Sequence, residues 1–208
     1  MIVTMQKGIM HYRYKGIRTL KCPFDLALYH LVLERYKPKT VVEFGTRFGG
    51  SSLWFADMMT VHGIEGHVYT FDIDLSSNVV RDRRITAQYC DASQPERYLS
   101  DEFMASLPRP VLLVEDASHI YEHVLAVLEF AHRWLGSGDY MIVEDGILEH
   151  MKSRGRHHGG PLRAIKEFLE LHPGDYEIDR ELCDYYGTNM TWAIDGYIKP
   201  LNAQRTGN

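Results

Sequence analysis

Residues 176–198 read YEIDRELCDYYGTNMTWAIDGYI, and how they are interpreted decides the fold. The runs 176–182 and 191–198 carry the apolar, aromatic and β-branched residues of strands, and the segment Asp184-Tyr185-Tyr186-Gly187-Thr188-Asn189 between them is made of turn formers. A connection that short holds no crossover helix, so the two strands are expected to pair antiparallel.

Upstream of this segment, short β-rich runs alternate with amphipathic stretches, the pattern of a mostly parallel sheet covered by helices on both faces. Strands are expected at 41–44, 68–73, 85–89, 111–114 and 140–143. An opening helix is expected near Pro23, with Leu26, Tyr29, Leu33 and Tyr36 on one face and Pro38 as its stop. A second helix is read at 50–61. Val124, Leu125, Leu128, Ala131 and Leu135 form another stripe, closed by Gly136-Ser137-Gly138. Pro161 suits the first turn of a last helix whose buried side is Ala164, Ile165, Phe168 and Leu169. The fold class predicted is α/β: a doubly wound, mostly parallel seven-stranded sheet, Rossmann-like, with a C-terminal antiparallel hairpin.

The 208 residues are 45% hydrophobic, enough for one buried core, so 1–208 is read as a single domain. It begins with an arm and helix at 1–37 and ends in a flexible tail at 201–208. A net charge of -5 argues against nucleic acid, because phosphate binding needs clustered Lys and Arg. Cys22, Cys90 and Cys183 are too scattered for a disulfide framework or a CxxC knuckle. No run reaches membrane-spanning length and the start lacks a signal-peptide core, so a soluble cytoplasmic protein with no membrane partner is expected.

In Val41-Val42-Glu43-Phe44-Gly45-Thr46-Arg47-Phe48-Gly49-Gly50-Ser51-Ser52 the glycines allow a backbone to approach a ligand, and the following helix offers free N–H groups to a carboxylate or phosphate. Gly45, Thr46, Gly49, Ser51 and Ser52 are therefore candidate cofactor residues. Glu43 would repel a pyrophosphate but can accept from the ammonium of an amino-acid moiety. Asp72 and Asp74 end the second strand, where an acid accepts hydrogen bonds from ribose hydroxyls in dinucleotide and methyltransferase sites alike. Asp91, after the third strand, suits either an adenine amino group or a helix N-cap.

Asp116, Glu144 and Asp145 stand at the expected carboxyl ends of two apolar strands. Three carboxylates beside a nucleotide-cradling turn suggest a hard divalent cation next to a bound cofactor. His119 and His123 form an i, i+4 pair, but no HExxH pattern or third soft ligand supports zinc. Capping of the following helix is the other structural use open to His119.

Five β/α units closed by an antiparallel hairpin resemble class I S-adenosylmethionine-dependent methyltransferases. Asp116-Ala117-Ser118-His119 with Glu144-Asp145 is similar to the metal-dependent O-methyltransferases of the catechol type, which carry an Asp after strand four, a base three positions later and an acid or amide pair after strand five. Over most of residues 14 to 199 the chain resembles the cephalosporin hydroxylase-like family, also known as the rhamnosyl O-methyltransferase family. The matching segments are Tyr14-Lys15-Gly16, Pro23 to Leu26, Pro38 to Ser52, Phe71 to Asp74, Asp116 to His119, Gly138 to Asp145, Gly160-Pro161 with Ala164-Ile165, and Gly196-Tyr197-Ile198.

The resemblance implies S-adenosylmethionine as cofactor and magnesium at Asp116, Glu144 and Asp145. It also implies His119 as the base and a hydroxylated sugar or natural-product scaffold as acceptor. Tyr14, Lys15, His11, Tyr185 or Tyr186 are candidates for the acceptor pocket, as is His150 in the 147–159 loop, read as a lid. A homo-oligomer is expected. An NAD-linked oxidoreductase using the same turn, and a non-catalytic scaffold subunit, remain as alternatives.

Overall fold

The computed structural model describes residues 2–151 and 154–202. In chain order these form α1 (Ile2–His11), β1 (Arg13–Tyr14), β2 (Ile17–Arg18), α2 (Pro23–Tyr36), β3 (Thr40–Phe44), α3 (Gly50–Val61), β4 (His67–Asp72), β5 (Ile85–Tyr89), α4 (Asp101–Ser106), β6 (Val111–Glu115), α5 (Tyr121–His132), β7 (Tyr140–Val143), α6 (Gly160–Leu171), β8 (Tyr176–Ile178), α7 (Arg180–Cys183) and β9 (Tyr197–Pro200). One seven-stranded sheet has the order β5-β4-β3-β6-β7-β9-β8, parallel through β7, with β9 antiparallel to both of its neighbours. β1 and β2 make a separate hairpin.

The central strands are apolar at successive positions because both faces are covered. On one face Val42, Leu113, Met141 and Val143 pack with Val124 and Leu128 of α5 and Ala164 and Phe168 of α6. On the other, Val41, Leu112, Val114 and Ile142 pack with Leu28 and Val32 of α2 and Trp54 and Phe55 of α3. Each such side chain contributes roughly 1.5–3 kcal/mol on burial. Strand order reverses between β3 and β6, so their carboxyl ends open a crevice at the switch point, where ligands of such sheets bind.

The closing pair is antiparallel, as expected, but its bounds differ from the reading of 176–182 and 191–198. β8 stops at Ile178 because Asp179 turns the chain and its carboxylate accepts from the Leu182 N–H, starting α7. Leu182 and Cys183 are buried from that helix. Residues 191–196 are held as a turn against α2, where Asp25 takes the Thr191 hydroxyl and the Trp192 N–H, and β9 begins only at Tyr197.

The sequence reading placed the opening helix at Pro23, whereas α1 precedes it. α1 has Gly8 in its interior and no acidic residue in its first turn, so it lacks ordinary start signals. Of the tail expected to be flexible, Leu201 and Asn202 are pinned by backbone hydrogen bonds to Asp175 and Ser137. Residues 203–208 of that tail, and 152 and 153 of the expected lid, lie outside the described residues. No helix among the described residues is long and apolar enough to cross a membrane.

Candidate active site

A cavity of about 560 Å³ opens over the carboxyl ends of β3, β4, β6 and β7. One side is the turn between β3 and α3. Gly45 has φ 107°, and a Cβ there would lie 2.1 Å from the Asp116 carbonyl oxygen, so only glycine lets β3 and β6 leave the sheet this close together. Gly49, at φ 81°, caps α3, and the turn is closed by its N–H donating to the Thr46 carbonyl at 2.7 Å. Gly45, Thr46, Ser51, Asp72 and Asp74 line the cavity as expected; Gly49 and Ser52 shape the turn from behind. Asp72 is fixed by accepting from the N–H groups of Arg47, at 2.8 Å, and Asp74, at 3.0 Å.

Glu43 does not reach the cavity. It is 0% exposed, and its Oε2 accepts from Ser52 Oγ at 2.5 Å and Thr70 Oγ1 at 2.7 Å, while Oε1 has no hydrogen-bond partner among the described residues. Burial pushes its carboxyl up, against the pull of Lys21 and the surrounding hydroxyls. Its expected contact with an amino-acid ammonium is therefore replaced by a role in holding α3 to β3 and β4. Asp91 is likewise not a lining residue. Its Oδ1 accepts from the N–H and hydroxyl of Ser93, at 2.9 and 2.7 Å, so it folds its own loop rather than capping a helix.

The other side of the cavity holds Asp116, His119, Glu144 and Asp145 together. Asp116 and Glu144 follow β6 and β7, whose registered pairing sets them side by side. Asp145 and His119 both adopt left-handed backbone, at φ 59° and 58°, a conformation costing on the order of 1 kcal/mol for a residue with a Cβ. These turns bring His119 Nε2 to 3.1 Å from Asp145 Oδ2 and 4.0 Å from Asp116 Oδ1. His119 Nδ1 is buried without a hydrogen-bond partner among the described residues. Burial alone would lower the imidazole pKa, but Asp145, Asp116 and Glu115 outweigh it and hold it above 6.5.

Lys21, absent from the sequence-derived site, is its most enclosed member. Its side chain is 2% exposed, with Nζ 2.5 Å from Asp116 Oδ2 and in contact with Glu144 Oε1. Burial opposes the charge, yet Asp116 and Glu144 together raise the ammonium pKa. Burial and the facing Asp116 carboxylate push the Glu144 carboxyl up, so this acid pair demands a cation, and Lys21 provides one. Glu115 is a further buried acid, pushed up to about 7 by desolvation, with Oε1 accepting from the Ala117 N–H. Neither residue had a legible signal: Lys21 sits alone in TLKCPFD, and Glu115 reads as the end of an apolar strand.

The remaining wall comes from Gln6, Ile9 and Met10 of α1, residues 18–22, and Leu148, His157 and Trp192. The expected acceptor residues lie elsewhere. Tyr14 and Lys15 both engage Asp57 on α3, at 3.0 and 2.6 Å, and anchor the β1–β2 hairpin. His150, His11, Tyr185 and Tyr186 are exposed and do not line the cavity. From the 147–159 loop it is Leu148 and His157 that line it, the His157 ring centre 6.3 Å from that of His119.

A sheet of this order, with β9 slipped between β7 and β8 and the cavity at the switch point, is the α/β methyltransferase fold. A family model described as Rhamnosyl O-methyltransferase/CmcI matches residues 6–201. The rhamnosyl O-methyltransferase of Mycobacterium leprae is 29% identical over 188 residues, covering 89% of this chain and 81% of that protein. Its namesake from Mycobacterium tuberculosis is 29% identical over 189 residues, covering 89% of this chain and 76% of that one. A CmcI structure described as its Mg-SAM form matches with a TM-score of 0.72 and 26% identity, over 92% of this chain and 77% of that chain. An apo CmcI structure gives 0.73 and 25%, over 93% and 78%. The chain belongs to the rhamnosyl O-methyltransferase/CmcI family, and its enzyme class is O-methyltransferase.

Proposed function

We propose that the chain moves a methyl group from S-adenosylmethionine to a hydroxyl of a sugar or other natural-product scaffold, assisted by magnesium at Asp116, Glu144 and Asp145. One observation carries this reading: a single cavity joins the Gly45–Ser51 turn and Asp72 on one side to the acidic trio and His119 on the other. The donor set fits the ion, since hard carboxylate oxygens converge where the Lys21 ammonium already serves as a stand-in cation. When bound, S-adenosylmethionine would supply an electrophilic methyl group and magnesium a Lewis acid.

The chain's own residues do the rest. Asp72, fixed by two backbone N–H groups, keeps lone pairs for ribose hydroxyls. Ser51, in the first turn of α3, offers its N–H at the positive end of that helix to a carboxylate. His119 lines the cavity and takes the acceptor's proton, and Asp145, 3.1 Å from its Nε2, steadies the imidazolium that forms. α1 and Trp192 close the wall and limit access of water.

The relatives named as rhamnosyl O-methyltransferases and the CmcI structure described with Mg and SAM support this reading. Family membership weighs against the NAD-linked alternative. The test is a mass-spectrometric screen of glycosides and polyhydroxylated natural products with S-adenosylmethionine, in magnesium and in EDTA. A product heavier by one methylene unit, lost in EDTA and in Asp116→Ala, is expected; full activity in a folded Asp116→Ala would overturn the metal assignment.

A further inference from the structure

Lys21 is joined to two of the residues that the proposed function assigns to magnesium, and among the described residues no other Lys or Arg is in ion-pair range of them; His119 Nε2 lies 4.0 Å from Asp116 Oδ1. Its Nζ contacts Asp116 Oδ2 and Glu144 Oε1, and Asp116 reaches it from β6 while Glu144 reaches it from β7. The ammonium is thus the tie between the carboxyl ends of two adjacent strands. Lys21 also lies between the β1–β2 hairpin and α2, in the stretch 18–22 that walls the cavity beside Ile9 and Met10 of α1.

We infer that Lys21 is an internal counter-cation that holds the acidic site together in the metal-free enzyme and exchanges with the divalent ion, thereby setting the affinity of the site for metal. The inference rests on the reading of Asp116, Glu144 and Asp145 as the metal site. A buried and a half-buried carboxylate side by side repel each other, and a single ammonium offsets that repulsion at 2.5 Å from one and in contact with the other. A doubly charged ion competes for the same oxygens. To bind, it must displace an ammonium that is already hydrogen-bonded and desolvated, and that cost lowers the apparent affinity. The exchange also detaches residue 21 from β6 and β7, so metal loading loosens the arm that walls the cavity.

The experiment compares wild type with Lys21→Met by calorimetric titration of magnesium and by thermal unfolding in EDTA and in magnesium. In EDTA the variant should melt lower by about 5 °C or more, since it leaves the buried Glu144 and the half-buried Asp116 facing each other without the ammonium between them. Magnesium should restore most of that loss and bind the variant about tenfold or more tightly than wild type. If the variant folds only with metal, the wild type alone still decides. A buried ammonium exchanges slowly enough to give its own 15Nζ resonance, assigned by its loss in Lys21→Arg, and this signal should shift or disappear on magnesium addition.

Magnesium binding of equal or lower affinity in Lys21→Met, or a 15Nζ signal unchanged at saturating magnesium, would overturn the inference and leave the metal site standing. Failure of both proteins to bind magnesium would overturn the metal site and the inference together.

Discussion

Asp25→Asn probes the contact that seats Trp192 in the cavity wall. Asp25 is 1% exposed; its Oδ1 accepts from the Thr191 hydroxyl and, at 3.1 Å, from the Tyr197 hydroxyl, and its Oδ2 accepts from the Trp192 N–H at 3.0 Å. Burial pushes its carboxyl up to about 6 from an ordinary 3.8, with the Thr191, Trp192 and Tyr197 donors pulling down. The native state therefore holds the proton more tightly than the unfolded chain. The stability from this group is fully present below about pH 4 and is lost as pH rises through about 6.

The full shift corresponds to about 3 kcal/mol, of which about 2 kcal/mol falls between pH 4.5 and pH 7.5. Asparagine does not titrate, and its NH2 group meets donors where the carboxylate accepted, costing about 1–2 kcal/mol at every pH. Urea unfolding of both proteins, followed by tryptophan fluorescence, gives the difference in stability across this range. It should be larger at pH 4.5 than at pH 7.5 by about 2 kcal/mol. A constant difference would show that Asp25 titrates normally and would refute the burial argument.

Further outcomes follow from the site. His119→Gln should lower the rate of methyl transfer by about 100-fold or more while leaving cofactor affinity within about threefold. In the metal-free enzyme acidic neighbours hold the His119 pKa above 6.5, so an NMR titration of its ring in EDTA should give a midpoint above that value, and magnesium at Asp116 and Asp145 should lower it. Asp72→Ala should weaken S-adenosylhomocysteine binding by about tenfold or more with little change in melting temperature, measured by calorimetry and thermal unfolding. Gly45→Ala places a Cβ 2.1 Å from the Asp116 carbonyl oxygen at φ 107° and should cost about 3 kcal/mol or more in denaturant unfolding.

Where the sequence carried a strong local signal, structure and reading agree. β5 and β7 begin and end where the β-rich run 85–89 and the apolar run 140–143 do, and α3 spans 50–61, since strand-turn-helix chemistry is local. The antiparallel close was anticipated, but not for the right reason: the connection is residues 179–196, not the six read as a turn, and it holds α7. α7 was not legible, because RELC is one helical turn created by the Asp179 cap inside an otherwise strand-like run. The acids at the ends of β6 and β7 were visible because strand termini can be read from an apolar run. Lys21 was hidden, since its meaning comes from contacts 95 and 123 residues away. Tyr14 and Lys15 failed as pocket residues for a related reason: aromatic and basic types suit an acceptor site, but only the fold reveals that Asp57 claims both.

The most direct measurement of the central claim is calorimetric binding of S-adenosylhomocysteine and of NADH to the purified protein, each in magnesium and in EDTA. Saturable S-adenosylhomocysteine binding with no NADH signal is the predicted result. NADH binding in its place, or silence from both ligands, would contradict the assignment of this cavity to methyl transfer.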